Sequence, residues 1–216
     1  MTNWFFEIAG GEMGSATLTS SFGESRWLVK RSTDVVLSVA GLIVSAPLMM
    51  AISIAIKLTS PGPVIFKQQR VGLNGNIFTI CKFRTMPVGS EASGFFTYYH
   101  DKRITLVGKL LRPFHFDEIP QLWNILKGDM SLVGPRPHPI DVCVGIASHV
   151  PDFHKRHQVM PGLTGLAQVN LGHEISDEIE RQCFEWDMRY IATCSFLTDL
   201  KILLKTVVVV IARNGN

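Results

Sequence analysis

The chain has 216 residues, 46% of them hydrophobic and 18% charged, and 21 Lys and Arg against 18 Asp and Glu give a net charge of +3. That length suits one domain of ordinary size with a sizeable core. The composition excludes a disordered, collagen-like or low-complexity chain, and it tilts toward membrane contact.

The basic excess is local, with ten Lys/Arg against five Asp/Glu between Pro61 and Ile140. Such a stretch is either a solvated basic face or a surface for a phosphate-rich partner. The cysteines Cys81, Cys143, Cys183 and Cys194 form no C-x-x-C pair. They read as reduced thiols rather than a zinc or redox motif.

In chain order, Met1 to about Val29 is rich in Gly, Ser and Thr and reads as a mobile tail, with no signal-peptide pattern. Lys30 and Arg31 open a membrane segment running to about Leu58, and Val35 to Ile56 carries no charge. Asp34 suits the helix start, with Ser32 and Thr33 as alternative caps. Pro47 removes a backbone hydrogen bond and crowds the Ile43 carbonyl, so a break is expected there. Each arm is then too short to span a bilayer, and Lys30, Arg31 and Lys57 favour the cytoplasmic side at both ends. A re-entrant hairpin fits best, ahead of a kinked spanning helix and a buried core helix. Ser45 is available to satisfy freed backbone at the break.

Residues 59–216 read as the catalytic domain. Ser60-Pro61-Gly62-Pro63 marks the exit from the membrane. Val64–Phe66 and Ile77–Ile80 are expected strands joined by the turn Gly72-Leu73-Asn74-Gly75. Glu91–Asp101 is a polar and aromatic loop, and Ile104–Leu111 a short helical or irregular stretch. Pro120–Lys127 reads as a helix ended by Gly128. Gly134-Pro135-Arg136-Pro137 and Pro161-Gly162 to Gly165 read as rigid loops. Ile175–Ala192 has helical spacing, and Leu197–Ala212 suits an element lying on a membrane surface.

Chemistry concentrates on Asp117-Glu118. Adjacent carboxylates before a helix are often capping groups, yet a helix start also favours phosphate and keeps a carboxylate ionised. An ionised Asp can attack phosphorus, while its neighbour holds Mg²⁺ or moves a proton. Lys82, Arg84 and Arg112 each read alone as surface cations, and Arg136 is set apart by flanking prolines that fix its backbone; a phosphoryl-transfer site would need several such cations. His149, His154 and His157 lack a ligand spacing and read as surface or core residues. P-loop, G-x-S-x-G and G-x-G-x-x-G motifs are absent from the sequence.

The blocks Lys30-Arg31-x-x-Asp34, Pro61-Gly-Pro-Val-Ile-Phe-Lys-Gln-Gln-Arg70, Lys82-Phe-Arg-Thr-Met86, Leu111-Arg112 and Asp117-Glu-Ile-Pro-Gln-Leu-Trp-Asn124 occur in one order. They continue with Lys127-Gly-Asp-Met-Ser-Leu-Val-Gly-Pro-Arg-Pro137 and Pro161-Gly-Leu-Thr-Gly-Leu-Ala-Gln-Val-Asn170. Together they resemble the bacterial sugar transferases, the monotopic phosphoglycosyl transferases, from about Lys30 to Ala212. The resemblance implies a small cytoplasmic α/β core, a re-entrant helix and interfacial amphipathic helices at a bacterial inner membrane. It implies transfer of a sugar-1-phosphate from a UDP-sugar to undecaprenyl phosphate, releasing UMP and starting exopolysaccharide or related glycan synthesis. Asp117 is then the nucleophile, Glu118 its helper, and Mg²⁺ the cofactor held by the pair. Lys82, Arg84, Arg112 and Arg136 would bind phosphate. The rivals are a glycosyltransferase releasing UDP and a non-catalytic membrane scaffold; nucleic acid is not an expected partner. Two departures stand out: Ala46 separates Ser45 from Pro47, where the family often has Ser-Pro, and Leu171-Gly172-His173 replaces a usual Gly-Arg after Asn170.

Overall fold

A computed structural model describes residues 24–90, 101–171 and 177–212. Most of the expected tail, most of the 91–101 loop and the 172–173 departure lie outside the described residues. The first helix, α1, is Glu24–Thr59. It begins ten residues before Asp34, so Asp34 is not its cap, and residues 24–29 are helical rather than part of a tail. The extra turns form because they find tertiary partners. Trp27 packs on the main core, and Lys30 bonds the Val133 carbonyl at 3.0 Å and Asp199 at 2.6 Å. Asp34 accepts from the Leu132 amide at 3.0 Å.

Helical turns continue through Pro47. The segment Arg26–Thr59 is long and apolar enough to cross a membrane by length and composition. Its middle is bare, with Ile43 69% and Val44 79% exposed. Both ends nevertheless pack on the same body of protein. Arg31 donates to the Ile125 and Leu126 carbonyls near one end. Toward the other end, Ile52 and Ile56 are buried with Phe83 and Leu111.

Strands β1 (Ile65–Val71) and β2 (Ile77–Phe83) form an antiparallel hairpin in which Lys82 faces Phe66. Helix α2 (Leu106–Leu111) follows, capped by Thr105, whose hydroxyl accepts from the Gly108 amide. Two 3-10 turns, Arg112–Phe114 and Phe116–Glu118, lead into α3 (Gln121–Lys127). Gly128 ends α3 at φ 90°, a left-handed conformation that favours glycine. Strands β3 (Ser131–Val133) and β4 (Gly162–Thr164) pair in parallel. Strand β4 replaces a stretch expected as loop, and β3 lies just before the expected loop at Gly134. Between them lie α4 (Ile140–Ala147), which the sequence did not announce, and a 3-10 segment at Phe153–Gln158. Helices α5 (Leu166–Asn170), α6 (Asp177–Thr193) and α7 (Phe196–Ala212) complete the fold.

The main core joins Ile80, Ile125, Met130, Leu132, Val133, Val159, Val169, Tyr190 and Ile202, drawn from six elements and the segments between them. Removing the side chain of a buried residue such as Ile125 costs about 2–5 kcal/mol. Helix α7 turns Ile202 inward, while Leu197, Leu204, Val208 and Ile211 face out. The four cysteines are free.

Candidate active site

Asn124, fully buried on α3, closes the open edge of β2. Its Oδ1 accepts from the Cys81 amide at 3.0 Å, and its Nδ2 donates to the Thr79 carbonyl at 2.7 Å. A two-stranded sheet leaves such edge groups without a strand partner, and a side-chain amide supplies both missing bonds. The staple fixes α3 against β2. It thereby brings the turn before α3, carrying Asp117 and Glu118, beside Lys82.

Arg136 arrives from the other side on a loop pinned at five consecutive residues. Gly134 N donates to the Thr164 carbonyl and Gly162 N to the Pro135 carbonyl, both at 2.9 Å. Arg156 donates to the Arg136 carbonyl at 2.9 Å, Arg70 to the Pro137 carbonyl at 2.9 Å, and Val71 N to the His138 carbonyl at 3.0 Å. Arg156 is itself held by Asp187 at 2.7 Å in a pair whose side chains are 3% exposed. A Cβ on Gly134 would collide with the Met160 carbonyl, so only glycine allows this approach of β3 and β4.

These constraints converge on Glu118. Its Oε1 accepts from Lys82 and from Arg136, both at 2.6 Å. Burial opposes charge on Glu118, but Arg136 and Lys82 outweigh it and hold the carboxyl well below the ordinary range. Asp117 is different. It is half-buried, and among the described residues its carboxylate makes no hydrogen bond or ion pair. Desolvation pushes its pKa up, the Glu118 charge adds to this, and Lys82 and Arg112 oppose it. The expected ionising helix start is therefore corrected: Asp117 lies in a 3-10 turn ahead of α3, and its surroundings disfavour its charge. Two neighbouring carboxyls with opposite shifts are suited to different roles.

Of the expected cations, Lys82 and Arg136 meet the pair directly. Arg112 donates through Nε to Thr85 at 2.9 Å, and its charge acts on Asp117. Arg84 does not join them. It donates to the Ser60 carbonyl at 2.7 Å and to the Pro61 carbonyl, so it fastens the exit of α1. Strand β2 ends at Phe83, which frees Arg84 from the face it would share with Lys82. Ser45, two residues before Pro47, bonds the Leu42 carbonyl at 3.5 Å and not the Ile43 carbonyl that it was expected to satisfy. Burial and Arg156 push the His157 pKa down to about 3, and His149 pairs with Glu180 at 2.8 Å.

Sequence reasoning passed over Arg70, Asn124, Arg156 and Asp187. Asp187 carried a usable signal: four residues after Cys183 and three before Tyr190, it puts a charge on the apolar stripe of α6. Among the described residues, no group of three or more His, Cys, Asp or Glu could cage a metal. Glu118 already faces two cations, which would repel a divalent ion. Among the described residues, Asp117 keeps both oxygens unbonded. That donor set fits a Mg²⁺ held by one carboxylate and by substrate phosphate oxygens, with Asp117 and not Glu118 as the protein ligand.

A family model described as bacterial sugar transferase matches residues 25–213. The chain is 45% identical, over 183 residues, to the UDP-glucose:undecaprenyl-phosphate glucose-1-phosphate transferase of Caulobacter vibrioides, covering 83% of this chain and 68% of that protein. It is 40% identical to the UDP-N-acetylgalactosamine-undecaprenyl-phosphate N-acetylgalactosaminephosphotransferase of Aeromonas hydrophila, covering 87% of this chain and 44% of that protein. It is 39% identical to the exopolysaccharide production protein PSS of Rhizobium leguminosarum bv. phaseoli, covering 86% of this chain and 96% of that one. The chain thus spans about two thirds of the Caulobacter protein and less than half of the Aeromonas one.

Proposed function

The chain belongs to the bacterial sugar transferase family, and from that premise we propose that it moves a sugar-1-phosphate from a UDP-sugar to undecaprenyl phosphate. The reaction would run at the cytoplasmic face of a bacterial inner membrane and start an exopolysaccharide or related glycan. The observation that carries this reading is the division of labour in the carboxylate pair. Glu118 is clamped by Lys82 and Arg136, whereas Asp117 is left unbonded beside them.

An Asp117 oxygen attacks the phosphorus joined to the sugar. The bond from that phosphorus to the bridging oxygen breaks, and UMP leaves with that oxygen. The acceptor's phosphate oxygen then attacks the same phosphorus, the aspartyl oxygen–phosphorus bond breaks, and the carboxylate is restored. Glu118 aims Lys82 and Arg136 at the charge that spreads over the phosphoryl oxygens, and Arg112 serves the other side. Mg²⁺, held by Asp117 and the diphosphate, would neutralise charge on the departing nucleotide. Two steps let a water-soluble donor and a membrane-bound acceptor use one site in turn.

Packing supports a single-leaflet topology. A spanning helix puts its ends about 30 Å apart on opposite faces. Here both ends of α1 pack on protein, Trp27 on the main core and Ile52 and Ile56 against Phe83 and Leu111, which supports a path in which α1 enters a single leaflet, bends at Pro47 and returns. The outward faces of α1 and α7 would sit in lipid.

The test uses protein in detergent with Mg²⁺, undecaprenyl phosphate and a panel including UDP-glucose and UDP-N-acetylgalactosamine. UMP release that is lost in Asp117→Asn and on chelation of divalent cations is the expected result. Release of UDP, or UMP release that survives Asp117→Asn, overturns the mechanism.

A further inference from the structure

Phe114 and Phe116 sit three and one residues before Asp117. Residues two apart lie on nearly opposite sides of a helix. Here they do not, because His115 between them is left-handed at φ 55°. That turn brings the two rings into a stack, with centroids 5.4 Å apart and planes 16° from parallel. A non-glycine residue in this region is uncommon, and such conformations collect at functional sites.

The stack is not core. Phe114 is 40% exposed and Phe116 37% exposed. The turn Arg112–Phe114 packs against both α2 and α7. Both helices present outward apolar residues, Leu106 and Leu110 from α2 and Leu204 and Val208 from α7. The aromatic pair therefore extends the surface assigned to lipid up to the nucleophile. On its inner side stands Arg112, whose charge acts on Asp117. A cation, a flat apolar shelf and a carboxylate thus occupy six consecutive residues.

We propose that Phe114 and Phe116 form the port for the acceptor, seating the first isoprene units of a polyprenyl phosphate while Arg112 meets its phosphate. This rests on the transfer reaction proposed above and adds where the lipid enters. The occupant is argued from two properties of the site. The shelf is continuous with the membrane-facing helices, which suits a chain that never leaves lipid. It ends at a cation beside the nucleophile, which suits a lipid whose head is a phosphate.

The test compares the full-length chain with Phe114→Ala/Phe116→Ala in three assays. The first is exchange of labelled UMP into UDP-sugar without acceptor. The second is the KM for undecaprenyl phosphate against that for a prenyl phosphate of two isoprene units. The third is co-flotation with phospholipid vesicles. The expected result is an undecaprenyl phosphate KM raised about tenfold or more, a smaller preference for the long chain, and retained exchange and flotation. An unchanged KM and chain preference overturn the port. So does a KM loss that tracks lost flotation, since the rings would then be bilayer anchors only. Should the double variant lose exchange, the single variants Phe114→Ala and Phe116→Ala carry the same comparison. Absence of exchange in the parent chain would instead sink the two-step reaction, while the acceptor KM values would still decide the port.

Discussion

Asp117 and Glu118 share one turn but answer acid differently. Glu118 has its folded pKa depressed by Arg136 and Lys82. The stability it contributes is present above the unfolded glutamate pKa, near 4.3, and is lost as pH falls through the folded value. Asp117 has its folded pKa raised by desolvation and by Glu118, so its charge opposes folding at neutral pH. Asp117→Asn should therefore abolish UMP release yet melt no lower than the parent chain at pH 7, and thermal melts in detergent would check this. The same shift sets the pH profile. An ionised nucleophile is required, so the acid limb of kcat/KM should fall at a pH above the ordinary aspartate range. A limb at or below pH 4 would contradict it. Glu118→Gln should act oppositely to Asp117→Asn on stability. It removes the carboxylate that Lys82 and Arg136 both bond and should cost about 1–3 kcal/mol.

At the scale of elements, Asn124 joins α3 to β2. Asn124→Leu would leave the Cys81 amide and Thr79 carbonyl unmatched, each costing about 1–3 kcal/mol. Asn124→Asp keeps an acceptor for the Cys81 amide but sets a buried carboxyl against the Thr79 carbonyl and the Asp129 carboxylate, so it should lose at least as much. Hydrogen exchange at Cys81 and denaturation midpoints would separate the two variants. The loop carrying Arg136 depends on a buried ion pair. Arg156→Met alone strands Asp187 and should cost about 3–5 kcal/mol, whereas Arg156→Met/Asp187→Leu should recover part of that stability. Activity should not return with it, because the bond to the Arg136 carbonyl stays broken. These elements also show what a sequence can disclose. The hairpin, α3 with its terminal Gly128, α6 and α7 were readable because apolar periodicity and turn residues mark them locally. Strands β3 and β4 were not, since each has three residues and they pair across 31 positions. Arg84 lies apart from Lys82 because spacing of two puts it on the Lys82 face only while a strand continues, and β2 stops at Phe83.

For the whole molecule, the sequence motifs pointed to residues the structure places together: Asp117, Glu118, Lys82 and Arg136, with Arg112 acting on Asp117 by its charge. The division of the carboxylates into clamped and free was not legible, because it depends on contacts between residues 18 and 36 positions apart. The single-leaflet topology predicts that cysteines placed at Arg26 and Thr59, in a background free of native cysteines, react with a membrane-impermeant maleimide from the same side. Opposite-side labelling would refute it. A related consequence concerns timing during synthesis. The Asp34 carboxylate of α1 is matched by the Leu132 amide, 98 residues later in the chain. At ribosomal speeds of about 5–20 residues per second, α1 emerges roughly 5–20 seconds before that partner exists. Throughout this interval its apolar flank has no protein to cover it. The bilayer then serves as the nascent chain's chaperone, and insertion precedes assembly of the core. A ribosome-stalled chain ending near residue 110 should already sediment with membranes.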